Sequence, residues 1–484
     1  MNYAAVGSVL AVLVMIIGGP LLVSAGVGFL YGEQVAMVFA GLGLVFILSG
    51  GFVHLLLARF DRTVRVREGF FITTLTYFVL GLLCTLPFMV SSANVTQSFT
   101  DAAFESFSGL TTTGATVLTG LEELPRTFLF YRASLQWIGG MGIIVLAVAI
   151  LPMLGIGGMQ LFRAEAPGTI TDTSLKPRIA EAAKSLWFLY LALTIACALA
   201  YWFAGMSMFD AICHAFTTVA IGGFSNYDAS IGYFDEPMIE TVAILFMLLA
   251  GLNFSLHYRA ILVKTDIREY FRDPEARTYA VFIVAVTVLV TARLAMADDM
   301  TGSGFRDALF QAVSFATTTG YTTTSVDSWP LLCPVVLVLA SFVGGCVGST
   351  AGGVKIYRVL VVMQQGVREI RRLILPDGVF TVKLGSEVVA DRVIEAVWGF
   401  VTMYGLLFVF LLTCVLMVSD LDIKSAFSAV AACLNNLGPG LGEVANHYAS
   451  LNAPTKWLLI LAMVLGRLEI FTLLVLLAPR YWYR

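Results

Sequence analysis

A chain of 484 residues that is 58 % hydrophobic and 13 % charged, with a mean hydropathy of +0.87, has too little polar surface for a water-facing globule and must lie largely in lipid. The net charge of −3 carries little information, because the placement of Lys and Arg among the loops, rather than their sum, orients a membrane protein. Seven cysteines without paired spacing and four histidines without ligand spacing provide neither a disulfide framework nor a zinc site.

Ten apolar stretches of membrane length follow one another, at 3–30, 35–58, 69–91, 126–156, 184–205, 237–262, 278–297, 330–363, 391–419 and 454–479. The first begins a few residues from Met1, lacks a basic leader and a small-residue cleavage pattern, and reads as a retained helix. Basic residues gather in four connections: Arg59, Arg62, Arg65 and Arg67; Arg163, Lys176, Arg178 and Lys184; Arg259, Lys264, Arg268, Arg272 and Arg277; and Lys355, Arg358, Arg368, Arg371, Arg372 and Lys383. These connections belong in the cytoplasm, as do both termini, Arg480 and Arg484 closing the count. The intervening connections are poor in Lys and Arg and face outward.

After the first two stretches, one unit occurs four times. Each copy has a hydrophobic span, a stretch of about 10 residues too short to cross a bilayer, a glycine-bearing turn and a second span. The turns are TTTGAT (Thr111 to Thr116), AIGGFS (Ala220 to Ser225), TTTGYTTT (Thr317 to Thr324) and NNLGPG (Asn435 to Gly440). Asp101, Asp210, Asp307 and Ser425 lie 13, 12, 13 and 13 residues before Gly114, Gly222, Gly320 and Gly438. The fold class is therefore all-α and polytopic, with four pseudo-symmetric helix–pore-loop–helix units around one pore and two extra N-terminal helices. The divisions fall at 1–64 for the extra pair and at 65–162, 163–266, 267–384 and 385–484 for the units.

Non-helical backbone at membrane depth is tolerated only where protein buries it or water lines it, so the turns face a cavity or a filter. Backbone carbonyls and threonine hydroxyls are oxygen ligands of modest field strength that suit a dehydrated monovalent cation, and glycine lets consecutive carbonyls turn inward. The candidate filter residues are Thr112, Thr113, Gly114, Ile221, Gly222, Thr318, Thr319, Gly320, Asn436, Leu437 and Gly438. The competing explanation for such glycines is close helix packing, which four turns at one register disfavour. The fourth turn, with Asn436 and Leu437, breaks strict fourfold symmetry.

GGCVGSTAGG (Gly344 to Gly353) interrupts the second span of the third unit. Gly344, Gly345, Gly348, Gly352, Gly353 and Lys355 form a candidate gate loop below the filter, the alternative being a helix end at the cytoplasmic surface. Arg467 lies in the apolar run LAMVLGRLEIFTLLVLL, where a guanidinium must face water or a partner. It is either part of the gate or one half of an ion pair with a carboxylate such as Glu469. REIRR (Arg368 to Arg372) offers a basic run to anionic lipid or to a protein.

The stretches SGLTTTGAT, AIGGFS, LNNLGPGLG and GRLEIFTLLVL, spread over the whole chain, resemble the pore-forming subunits of the bacterial Trk/Ktr/HKT superfamily of potassium uptake systems. The resemblance implies potassium as the transported ion, with Gly114 where some sodium-favouring plant relatives carry serine. It also implies an intramembrane gate loop, an arginine at the place of Arg467 that projects toward the pore, a homodimer in the bacterial cytoplasmic membrane, and a cytosolic TrkA-like nucleotide-binding regulatory subunit. No nucleotide is expected on this chain, since neither GxGxxG after a strand nor GxxxxGK[ST] occurs, and no nucleic acid is expected as a partner. Transport is either passive or coupled as a symport. An alternating-access transporter would show inverted repeats, whereas these units share one orientation, and an intramembrane enzyme would need a catalytic constellation such as HExxH or GxSxG.

Overall fold

The computed structural model describes residues 1–60, 66–89, 96, 98–145, 175–297, 304–385 and 387–483. Arg62, Arg65, Arg163, the end of the stretch 126–156 beyond residue 145 and the unit boundaries at 64/65 and 162/163 lie outside these residues.

The two N-terminal helices, Tyr3–Leu30 and Ala36–Leu56, form a hairpin held by small residues. A Cβ on Gly18 would lie 2.8 Å from Gly43 O, and one on Gly50 would lie 2.5 Å from Ala11 O, the close approach that membrane helices reach through glycine. The hairpin turn is tied to the first unit, where the Glu33 carboxylate accepts from the N–H groups of Arg126 (2.7 Å) and Thr127 (3.0 Å). An anion there satisfies free N–H groups at the start of the helix Arg126–Val145 and complements its dipole.

Each unit then repeats one plan. Outer helices Val66–Leu83, Leu175–Phe203, Pro274–Ala295 and Asp391–Val418 precede half-helices Phe99–Leu110, Met208–Val219, Gly304–Thr317 and Ile423–Leu434. The burial is inverted relative to a water-soluble protein. In Asp391–Val418 the apolar Leu406, Val409 and Phe410 are each about 60 % exposed, whereas every residue from Ala102 to Leu110 of the first half-helix is buried, Glu105, Ser106 and Ser108 included.

The second helices of units two, three and four are each broken. Pro237–Ala250 bends by 93° into Phe254–Val263, and Ala453–Arg467 bends by 110° into Phe471–Leu477. Leu332–Val343 stops at Gly344, and the chain resumes as Ile356–Ile374. Among the described residues six helices are long and apolar enough to cross a membrane, or eight if each bent pair is one span. The other two expected crossings are Arg126–Val145, described to residue 145, and the interrupted Leu332–Val343. A two-stranded hairpin, Lys383–Leu384 with Glu387–Val388, follows the third unit in antiparallel register.

Candidate functional site

The register of the first, second and fourth half-helices comes from their caps. Ser98 and Ser207 accept from the N–H groups of Asp101 and Asp210 at 3.1 Å, while their hydroxyls donate to the Asp carboxylates at 2.8 and 2.7 Å, so each is a serine N-cap held by the acid it caps. In the fourth unit the residue types are exchanged: Asp422 is the cap and accepts from Ser425 N–H at 3.1 Å. The repeated residue read from the sequence is thus the third of its half-helix in units one, two and four, as Asp101, Asp210 and Ser425, and the fourth in unit three, as Asp307.

Each half-helix ends in the same two hydrogen bonds. Thr112, Ile221, Thr318 and Asn436 donate their N–H to the carbonyl three residues back, and Thr113, Gly222, Thr319 and Leu437 donate to the carbonyl five residues back. The first four residues have φ of 52°, 52°, 64° and 55°. Asparagine tolerates this left-handed region, but threonine and isoleucine are β-branched outliers in it, the kind of local strain that collects at working sites. Two residues further on stand Gly114, Gly223, Gly320 and Gly438, with φ of 81°, 76°, 81° and 98°. In the second turn the equivalent of Gly114 is therefore Gly223, not Gly222, and the spacing from Asp210 becomes 13 residues as in the other units. Two adjacent glycines hide this offset in the sequence.

The glycines close a ring. A Cβ on Gly114 would stand 2.2 Å from Gly222 O, one on Gly223 would stand 2.0 Å from Thr319 O, one on Gly320 would stand 1.9 Å from Leu437 O, and one on Gly438 would stand 2.7 Å from Thr113 O. Each turn leans on the carbonyl oxygen of the next, in the order one, two, three, four, one. The outer connections repeat the cycle: Asp228 accepts from Gly120 N–H (2.7 Å), Gly232 N–H donates to Thr322 O (3.1 Å), Asp327 accepts from Gly442 N–H (3.1 Å), and Tyr448 N–H donates to Thr116 O (2.8 Å).

Buried side chains brace this ring at equivalent positions. Glu105 accepts from Thr116 Oγ1 (2.9 Å) and pairs with Arg132 Nε (2.7 Å), whose Nη1 donates to Ser225 O (3.0 Å) and whose guanidinium lies 4.2 Å from the Phe224 ring centroid. One unit on, His214 Nε2 meets Ser225 Oγ at 3.0 Å, and Gln311 Nε2 donates to Thr324 O at 3.3 Å in the third. Gln136 donates to Gly222 O (2.6 Å) and accepts from Phe224 N–H (3.0 Å). The Tyr448 hydroxyl donates to Gly438 O at 2.7 Å. Sequence reasoning left Glu105, Arg132, Gln136 and Tyr448 without a role and gave His214 no chemistry. Arg132, between apolar neighbours on its helix, carries the same signal that singled out Arg467.

The glycine-rich loop sits against the inner side of the ring. Gly352 N–H donates to Thr318 Oγ1 at 2.7 Å, and a Cβ on Gly352 would lie 1.9 Å from Asn435 O. Thr350 Oγ1 donates to Val219 O at 3.0 Å, and Ala351 packs with Ile221 and Ala250. Turns two, three and four therefore all touch one segment. The loop's own ends converge, Val354 N–H donating to Phe342 O at 2.8 Å, while Val347 N–H donates to the buried Glu275 carboxylate at 2.7 Å. Lys355, with φ of 79°, donates through Nζ to Ala351 O. Gly344, Gly345, Gly348 and Gly353 shape the loop and its junctions, and a Cβ on Gly345 would lie 2.6 Å from Ala351 Cβ and 2.9 Å from Gly251 O.

Arg467 joins the loop to the first unit. Its Nη1 donates to Thr350 O (3.1 Å) and its Nη2 to Gly139 O (3.0 Å). Glu469, the carboxylate expected as an alternative partner for Arg467, instead pairs with Arg358 Nη2 at 2.5 Å. Glu469 (φ 52°) and Ile470 (φ 55°) are consecutive left-handed residues at the helix break.

This architecture coincides with known transporters along the whole chain. The TrkH family model, described as a cation transport protein, matches residues 36–483. The chain belongs to the TrkH family. It is 49 % identical over 488 aligned residues to the Trk system potassium uptake protein TrkH of Vibrio parahaemolyticus, with all of both chains covered. It is 47 % identical to TrkH of Escherichia coli at the same coverage, and 41 % identical to TrkG of Escherichia coli over 94 % of each chain. The crystal structure of the potassium transporter TrkH from Vibrio parahaemolyticus superimposes with a TM-score of 0.92 at 46 % identity, covering all of both chains. The relatives are named as transporters rather than enzymes, and the fold is that of an all-α polytopic membrane protein.

Proposed function

We propose that this TrkH-family chain carries potassium into the cell through the ring of turns, with the carbonyls of Thr113, Gly222, Thr319 and Leu437 as part of its selectivity filter. The observation that carries the reading is the closed cycle in which each glycine rests against the next turn's carbonyl. Four converging C-terminal ends of half-helices add partial negative charge at the inner end of the ring, which favours a cation without a trapping carboxylate. The names and identities of the relatives support potassium as the ion.

Thr112, Ile221, Thr318 and Asn436 form the inner end of the filter, and Gly114, Gly223, Gly320 and Gly438 allow its carbonyls to pack. The loop Gly344–Lys355 is the gate: it contacts three of the four turns, and Arg467 locks it to Gly139 of the first unit. In this reading the chain is a multi-pass protein of the bacterial inner membrane with both termini in the cytoplasm, assembled as a homodimer. A cytosolic TrkA-like nucleotide-binding partner moves the loop, and nucleotide binds that partner rather than this chain. The test is cation flux by the purified chain in proteoliposomes, potassium against sodium, for wild type and Gly114→Ser. Selective potassium flux that loses selectivity in the variant supports the filter; flux indifferent to Gly114 overturns it.

A further inference from the structure

Away from the ring, an open pocket of about 340 Å³ lies where the start of the helix Pro274–Ala295, the helix Ile356–Ile374 and the short hairpin meet. Its lining combines Arg277, Thr278, Gln364 and Lys383 with the apolar Val281 and Leu360. The hairpin rests on the helix start, a Cβ on Gly385 lying 3.5 Å from Pro274 Cγ.

The charges here are one-sided. Several cations on the same elements are matched: Arg259 pairs with Asp273, Arg272 with Glu269 and Asp266, and Arg368 with Asp391. Arg277 and Lys383 line the pocket from two different elements, and neither has a carboxylate partner among the described residues. From the pocket an apolar lane runs along the helix into the span, with Val281, Val284 and Val288 exposed at 68 %, 60 % and 60 % on one face. Two unmatched cations at the membrane edge above an exposed aliphatic lane are complementary to a molecule with an anionic head and a hydrocarbon tail.

We propose that this pocket binds an anionic phospholipid, its phosphate held by Arg277 and Lys383 and one acyl chain lying along Val281, Val284 and Val288. Gln364 supplies a hydrogen bond to the headgroup, while the Thr278 hydroxyl is committed to Pro274 O at 2.9 Å. A free phosphate shares the head chemistry but has no use for the lane, which makes the lipid the occupant. The site lies outside the ring, so the assignment stands independently of how ions cross.

The test is binding of phosphatidylglycerol to the purified full chain in phosphatidylcholine nanodiscs, read as retained lipid by native mass spectrometry and as a rise in melting temperature. Arg277→Gln with Lys383→Gln is expected to weaken retention roughly thirty-fold, the combined effect of two basic residues at an anionic surface. Arg277→Lys is expected to retain most of it. Val281→Asn keeps both cations and is expected to weaken retention of lipid while leaving any response to inorganic phosphate unchanged. If the double glutamine variant melts early in phosphatidylcholine alone, Val281→Asn decides. Undiminished retention in both variants overturns the assignment. Stabilisation by inorganic phosphate equal to that by the lipid also overturns it, in favour of a soluble anion.

Discussion

The offset between Gly222 and Gly223 separates two side-chain additions that look alike in sequence. At Gly223 a methyl group would sit 2.0 Å from Thr319 O, roughly 1 Å inside the closest van der Waals approach. The contact is with backbone, so the carbonyl of the third turn must move. The φ of 76° adds a left-handed strain of about 1–2 kcal/mol for any L side chain. At Gly222 the methyl would instead meet Gln136 Cδ at 2.4 Å and Oε1 at 2.5 Å, the end of a flexible side chain. Swinging Gln136 aside loses its bonds to Gly222 O and Phe224 N–H, about 1 kcal/mol each. Since 1.4 kcal/mol is a factor of ten, Gly223→Ala is expected to lower the potassium-to-sodium flux ratio by roughly tenfold or more. Gly222→Ala is expected to keep most of that ratio and to lower the melting temperature. Both variants are to be compared with wild type in proteoliposomes at matched protein content. Loss of selectivity at Gly222 with retention at Gly223 would refute the register and the carbonyl cycle together.

Arg467→Ala removes two bonds that tie the loop to Gly139 and Thr350, so basal flux without a partner is expected to rise, whereas loss of folded protein without any flux change would make the residue a structural clamp. Thr318→Val removes the acceptor of Gly352 N–H, which costs about 1–3 kcal/mol if the donor is left buried, and is expected to raise protease cleavage or amide exchange within 344–355. Arg132→Ala leaves the buried Glu105 carboxylate without its cation at a cost of about 3–5 kcal/mol, so detergent-extracted protein should unfold at markedly lower temperature; Arg132→Ala with Glu105→Gln should recover part of the loss. Lys424, hydrogen-bonded to the Asp327 carboxyl, holds it below the usual carboxylate range. A depressed carboxyl contributes stability above its unfolded value of about 3.9 and loses it as the pH falls through the folded value. Wild type should therefore melt above Asp327→Asn at neutral pH, and the difference should shrink below about pH 4; a constant difference would show that the charge does not hold the third and fourth units together.

Much of the architecture was legible because two short-range patterns survive in the sequence. The caps write themselves as Ser98 with Asp101 and Ser207 with Asp210, and the half-helices are too short to cross a bilayer, so a turn at depth was unavoidable. Where two glycines adjoin, the sequence offers a register one residue off: Gly222 and Gly223 are both permissive, and the hydrogen bonds that end the half-helix and the positive φ of Gly223 distinguish them. The braces behind the ring were illegible for another reason. Glu105 and Arg132 are 27 residues apart and meet only after the half-helix has folded back. Arg467 could be singled out as a buried charge, but its acceptors are backbone carbonyls of two different units, and backbone carries no residue type to read.

Four turns in one polypeptide also change what a single mutation is. In a channel made from identical subunits, one altered codon strikes every quarter of the ring at once. Here a change at Gly223 displaces a carbonyl of the third turn directly and reaches the fourth and first only through the cycle. Damage to this ring can thus be dosed in quarters, and variants on neighbouring turns should combine differently from variants on opposite ones.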